Sequence, residues 1–197
     1  RVPRAGAVPL SFSLDTVGPL ARTVEDVALA MQALAGPHPD DPTAAAQAVP
    51  DYAAALTRSV KGLRIGIPNS YFFDEIDPAI GALVTASVDV LRSLGCTIVR
   101  VDVPDLEAWN NAATTIIASE AGALHSAWLR ERPGDYSEQV RARLELGLGI
   151  PAAQYINSLR LRGEALSAWL RDVMTGIDAL HVPAVAFRTP TIAETDV

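Results

Sequence analysis

What the sequence has little of narrows it first. Cysteine occurs once, at Cys96, which excludes an internal disulfide and the usual cysteine-based metal frameworks and fits a reducing compartment. Lysine also occurs once: of 16 basic residues, 15 are arginine and only Lys61 is lysine, so any mechanism that needs a lysine base has one candidate among these residues. Basic charge is in deficit, with 16 Lys and Arg against 23 Asp and Glu and a formal net charge of −7; the chain offers no positive field for phosphates, and nucleic acid is not expected as a direct partner. No stretch approaches the roughly 20 apolar residues that cross a bilayer, and Arg1-Val2-Pro3-Arg4 lacks an apolar secretory segment. The expectation is a cytoplasmic protein with no membrane partner. His38, His125 and His181 stand far apart, with no His-x-x-x-His or Cys-x-x-Cys spacing, so no metal site is expected. Gly147-Leu148-Gly149 lacks the third glycine and the strand-to-helix setting of a dinucleotide fingerprint, and no P-loop is present. No cofactor is expected.

What is there is enough for a core. The 197 residues are 49% hydrophobic, a size and composition that fit one globular domain or one large lobe. Arg1 to Leu20 is rich in Pro, Gly and Ser and reads as extended or looped chain, a buried connector. Thr23 precedes Val24-Glu25-Asp26 as a capping box, with Val27, Met31 and Leu34 at helical spacing, which predicts a helix over 24–35 stopped by Gly36 and Pro37. Residues 37–50 have loop composition, and 51–59 can form a short helix. Leu63-Arg64-Ile65-Gly66-Ile67-Pro68 reads as a strand. Asp77-Pro78 opens a helix whose apolar face is Ile80, Val84, Val88 and Leu91, ended by Gly95. Thr97-Ile98-Val99-Arg100-Val101 is a second strand, so 63–101 is a β-α-β unit with parallel strands. The fold class expected is α/β.

Beyond Pro104 the pattern turns helical. Leu106, Trp109, Ala113, Ile116, Ala121, Leu124 and Trp128 predict a long helix over about 106–130. A helix over 136–148 and another opened by Pro151 follow, and Ile177 to Val182 reads as a returning strand. The organisation expected is a single domain with a sheet-forming part over 1–104, a helical part over 105–176 and a strand and tail over 177–197.

The residue types alone leave few places for chemistry. Ser11, Ser13, Asp15, Ser119 and His125 contain the ingredients of a Ser-His-Asp site, but no Gly-x-Ser-x-Gly elbow aims a serine out of the backbone. Ser11 and Ser13 are read as hydroxyls pairing with nearby backbone. Glu120 falls on an apolar stripe with Ala113, Ile116, Ile117, Leu124 and Trp128, where a bare carboxylate is costly and needs a partner. Two readings stand: a structural pair with an arginine of the following helices, or a carboxylate lining a pocket. Arg141 and Arg143 fit either a solvated helix face or a bidentate ligand for a substrate carboxylate or carboxamide.

These motifs collect into a pattern. Arg1-Val2-Pro3-Arg4-Ala5-Gly6-Ala7 followed by Ser11-Phe12-Ser13-Leu14-Asp15-Thr16-Val17-Gly18-Pro19-Leu20-Ala21-Arg22-Thr23-Val24-Glu25-Asp26 resembles the segment just downstream of the active-site loop in the amidase signature family. Gly62-Leu63-Arg64-Ile65-Gly66-Ile67-Pro68 with Tyr71-Phe72-Phe73, Leu94-Gly95, Ile117-Ala118-Ser119-Glu120-Ala121 with His125, and Asp178-Ala179-Leu180 are similar to later landmarks of that family in the same order. The resemblance covers essentially the whole chain and implies a mixed β-sheet covered by helices.

It also implies an activity. Members cleave carboxamides through a Ser-Ser-Lys triad: lysine is the base, one serine relays the proton, and a second forms an acyl-enzyme that water hydrolyses. A desolvated neutral lysine and an oxyanion hole make that chemistry workable near neutral pH. The resemblance puts the triad upstream of Arg1, implies a chain cut at both ends, and leaves no catalytic residue here; Lys61 reads as a surface position entering the first strand. Substrate-binding residues implied are Arg143, Glu120, Ile117, Thr114 and Asp15, acting on a small-molecule amide. Ala113 and Thr114 stand where glutamine-using members carry tyrosines, and His181-Val182-Pro183-Ala184 stands where threonines more often flank the proline. Alternatives are the A subunit of a glutamine-dependent tRNA amidotransferase and a non-catalytic amidase-like binding protein; a homodimer is a possible assembly.

Overall fold

The computed structural model describes residues 1–195. Along the chain run α1 (Val24–Leu34), α2 (Tyr52–Ala55), β1 (Arg64–Pro68), α3 (Pro78–Ser93), β2 (Thr97–Val101), α4 (Glu107–Glu131), α5 (Glu138–Leu148), α6 (Ala152–Ala168) continued by a π-helical turn at Trp169–Val173, β3 (Ala179–Leu180) and α7 (Ile192–Thr195). The chain divides into two compact units, one made of Arg1–Ser59 with Ala112–Leu159, the other of Val60–Asn111 with the residues from Arg160 onward. The last two residues of the expected tail lie outside the described residues.

The second unit holds the sheet. β1 is central, with β2 and β3 on either side, and both pairings are parallel: Ile65 sits opposite Ile98 on one side and Ala179 on the other. The β-α-β reading of 63–101 therefore holds, and the fold is α/β. The three strands are parallel throughout, with no antiparallel partner among the described residues. The returning strand is shorter than expected, two residues instead of six. It is fixed by its flank: the Arg64 N–H donates to the Asp178 carboxylate at 2.8 Å, and the Asp178 N–H donates to the Arg64 carbonyl at 2.8 Å.

Local chemistry sets the α3 ends. The Asp77 carboxylate accepts from the Ala79 N–H at 2.8 Å, with Pro78 in the first turn where its missing N–H costs nothing. At the other end Gly95 takes φ +88°, the Gly95 N–H donates to Arg92 and the Cys96 N–H to Leu91; this is a Schellman stop, which turns the chain directly into β2. Ile65, Ile67, Val88 and Cys96 form the buried cluster, covered by Val60, Phe73, Leu91 and Ile98. Burying each large aliphatic side chain is worth about 1.5–3 kcal/mol.

In the first unit, Thr23 caps α1 as its sequence indicates, accepting from the Asp26 N–H at 3.0 Å. The short helix expected over 51–59 contracts to α2, capped by Asp51. Ala121, Leu129 and Leu144 form the core with Tyr136 against them. Two differences from the sequence reading matter for the site. Residues 1–20 are not a buried connector: Ser11 is buried, but Val8, Leu10, Phe12 and Leu20 are exposed. The buried face of α4 is also turned, comprising Ala112, Ile116, Glu120, Ala121, Gly122, His125 and Leu129, while Ile117 and Trp128 are exposed.

Candidate functional site

Every residue expected to bind substrate lies in the first unit. Glu120 is its polar centre, with only 1% of its surface exposed. Its Oε2 accepts from the Ser11 hydroxyl at 2.6 Å and the Ser13 N–H at 2.9 Å. Its Oε1 accepts from the Ser13 hydroxyl at 2.7 Å and the Tyr155 hydroxyl at 2.9 Å. The anticipated arginine partner is absent among the described residues; four neutral donors replace it. The same contacts correct the reading of Ser11 and Ser13, whose hydroxyls go to the carboxylate and not to nearby backbone. Both serines reach one carboxyl from a turn in which the Leu14 and Asp15 N–H groups donate to the Ser11 carbonyl at 3.2 and 2.9 Å.

Energetics explain how a carboxylate survives there. Burial pushes the Glu120 pKa up, at a cost of several kcal/mol for a buried ion, but hydrogen bonds from Ser11, Ser13 and Tyr155 together outweigh it and hold the group below its ordinary value. Each charge-assisted bond is worth about 1.5–3 kcal/mol, so four exceed the penalty. Tyr155 responds oppositely: burial, and donation to an anion, raise its pKa.

Asp15 works on the same segment, its two oxygens accepting from the Leu10 and Ser11 N–H groups at 2.9 and 3.0 Å. Asp15 also lines an open cleft of about 650 Å³ with Arg4, Phe12, Thr16, Val17 and Asp41. Asp41 was not anticipated. Its carboxyl, 6% exposed, is held down to about 2 by the Arg4 N–H, with the Thr43 hydroxyl and N–H and the Arg4 charge adding to it and burial opposing.

His125 has both ring nitrogens engaged, Nε2 with the Pro9 carbonyl at 3.0 Å and Nδ1 with the Tyr136 hydroxyl at 2.9 Å. A carbonyl only accepts, so Nε2 carries a proton, and in the neutral ring Nδ1 accepts from tyrosine. The histidine thus ties Pro9 to α4 and is not paired with a serine. Thr114, Ile117 and Arg143 are exposed, the first two on α4 and the third on α5. Those helices meet at Gly147, which the sequence reading weighed only as part of a failed fingerprint, and at Gly122, which it did not weigh. A Cβ on Gly147 would lie 1.8 Å from the Ala118 carbonyl oxygen, and one on Gly122 would lie 2.9 Å from the Gly147 carbonyl carbon.

Comparison with known proteins decides the family. The Amidase family model matches residues 1–197. The chain belongs to the amidase signature family. Among amidase signature relatives, a Pseudomonas putida protein named Amidase is 42% identical over 185 residues, covering 94% of this chain and 40% of its own length. The A subunit of the glutamyl-tRNA(Gln) amidotransferase from Pseudomonas savastanoi pv. phaseolicola is 34% identical, covering 87% of this chain and 40% of its own. The chain thus spans about 40% of the length of these curated relatives. A solved structure described as a vestigial protein complex revealing the origins of an s-triazine catabolic enzyme, in inhibitor-bound form, superimposes with TM-score 0.84 at 35% identity, over 98% of this chain and 41% of that one. A peptide amidase in complex with the competitive inhibitor chymostatin superimposes with TM-score 0.68 at 26% identity, over 91% of this chain and 42% of that one.

Proposed function

We propose that the protein is an amidohydrolase that cleaves the C–N bond of linear carboxamides. The observation that carries this is the 42% identity to the Pseudomonas putida amidase over 94% of the chain. In the mechanism proposed, a serine oxygen attacks the carboxamide carbon, the amide nitrogen leaves with a proton delivered through a serine and lysine, and water cleaves the acyl ester. The triad lies outside residues 1–197, and this stretch supplies core and substrate-pocket elements. Arg143, Ile117 and Thr114 contact the substrate, while Glu120 and Asp15 hold the 10–15 segment in place. Support for that division comes from the hydrogen bonds: the carboxylates of Glu120 and Asp15 accept from the segment itself, whereas Arg143 is exposed.

The proposed compartment is the cytoplasm, and a homodimer is the proposed assembly; among the described residues no helix is long and apolar enough to cross a membrane. A second reading, the glutamine-using component of a tRNA amidotransferase complex, is favoured by the 34% identity to the Pseudomonas savastanoi protein. Ammonia release from simple carboxamides by the purified full-length protein separates the two. Turnover of aliphatic or aryl amides without a partner supports the amidase; turnover confined to glutamine, and dependent on a copurifying protein, supports the amidotransferase.

A further inference from the structure

A second cleft, of about 310 Å³, opens beside Glu120 on the side of α4 that carries Ser119 and Ala123. At about 100° per residue, Ser119 and Ala123 lie some 120–160° around α4 from Ile117, so this cleft opens on a different side of α4 from Ile117. Its wall includes Phe12, Tyr155 and Leu148, with no Lys, Arg or His. Two features of the wall lack a complement. Glu120 is a buried carboxylate whose hydrogen-bond donors are all neutral, with no cation paired to it among the described residues. The Ser119 hydroxyl is a buried polar atom with no hydrogen-bond partner among the described residues.

We propose that this cleft binds a small organic ammonium ion, held by the charge of Glu120, the aromatic side chains of Phe12 and Tyr155, and the Ser119 hydroxyl as acceptor. The charge excludes an anion, because a buried carboxylate with no basic residue on the wall repels one. It favours a cation over a neutral molecule of equal size for two reasons: the Glu120 charge is buried, at 1% exposure, and so less screened by water, and aromatic side chains attract ammonium groups. All four acceptor directions of Glu120 are filled by donors, so the carboxylate acts through space and the direct hydrogen bond falls to Ser119. The Tyr155 hydroxyl donates to Glu120, which leaves its oxygen free to accept a second ammonium proton. The apolar wall takes the short alkyl chain.

The test is calorimetric or ligand-observed NMR titration of the full-length protein at pH 7 and low salt with n-butylammonium, n-butanol and butyrate, which share one skeleton and differ in charge. The expected result is saturable n-butylammonium binding below about 10 mM, about tenfold or more tighter than n-butanol, with no binding of butyrate. Ala123→Trp fills the cleft from an exposed position on α4 and abolishes binding while the circular dichroism spectrum is unchanged. Ser119→Ala weakens binding about fivefold, a typical loss for one hydrogen bond. The proposal is overturned if n-butanol binds as tightly as n-butylammonium, if no saturable binding is found, or if binding survives Ala123→Trp.

Discussion

Glu120 shows how a single residue can hold a segment in place without a salt bridge. Glu120→Gln puts an amide N–H₂ against at least one of the donors now served by a carboxylate oxygen, so it should destabilise the fold by about 2–4 kcal/mol, measured as a lower urea midpoint. Tyr155→Phe removes only one donor and should cost about 1.5–3 kcal/mol. The pH dependence has a definite sign. The Glu120 pKa in the folded protein lies below its ordinary 4.5, so as pH falls below about 4.5 the unfolded chain takes up this proton first and stability drops until the folded group is protonated as well. Glu120→Gln should flatten that part of the stability profile; an unchanged acid slope would contradict the assignment. The sequence made the need for a partner legible, because a carboxylate on an apolar stripe demands one. It did not make the partner's identity legible, because the competing donors lie 107 and 109 positions away in an irregular segment, and local spacing carries no information about such a meeting.

Among the elements, the α4 and α5 crossing is the one most sensitive to a single atom. The Cβ of Gly147→Ala would overlap the Ala118 carbonyl, within the backbone of α4, so the two helices must separate. The expected loss is about 3 kcal/mol or more, read from thermal or urea unfolding, with a parallel loss of any function that depends on where Arg143 stands, one turn before Gly147. Asp77→Ala removes the α3 cap and should cost about 1 kcal/mol. Capping was the most legible feature at this scale: Thr23, Asp77 with Pro78, and Gly95 all act where their residue types predict, because caps are local chemistry. Helix faces were less legible. In α4 the buried stripe runs through Glu120 and His125 while Ile117 and Trp128 face outward, since polar groups that find internal partners can displace apolar ones from the interior. β3 shortened for a related reason: its extent depends on pairing with β1 and not on its own propensity.

For the whole molecule, the fold class and family were legible from motif order, and the β-α-β unit was legible from its alternating periods. A chain cut at both ends implies apolar surface left without its packing partners, but which residues carry it was not legible, because composition does not say which face is covered. Val8 is 77% exposed, Ile192 87% and Leu20 100%, and residues 1–197 expressed alone should therefore self-associate, which light scattering after size exclusion would detect as species larger than a monomer. A monodisperse, cooperatively unfolding monomer would contradict this. The central claim is that the protein hydrolyses carboxamides with its substrate contacts here and its base elsewhere, and steady-state kcat/KM for amide hydrolysis by the full-length protein tests it most directly. Arg143→Ala should lower kcat/KM by about 10- to 100-fold, the value of one charge-assisted contact, whereas Lys61→Ala should leave it within about twofold. Loss of turnover in Lys61→Ala, with Arg143→Ala unaffected, would contradict the account.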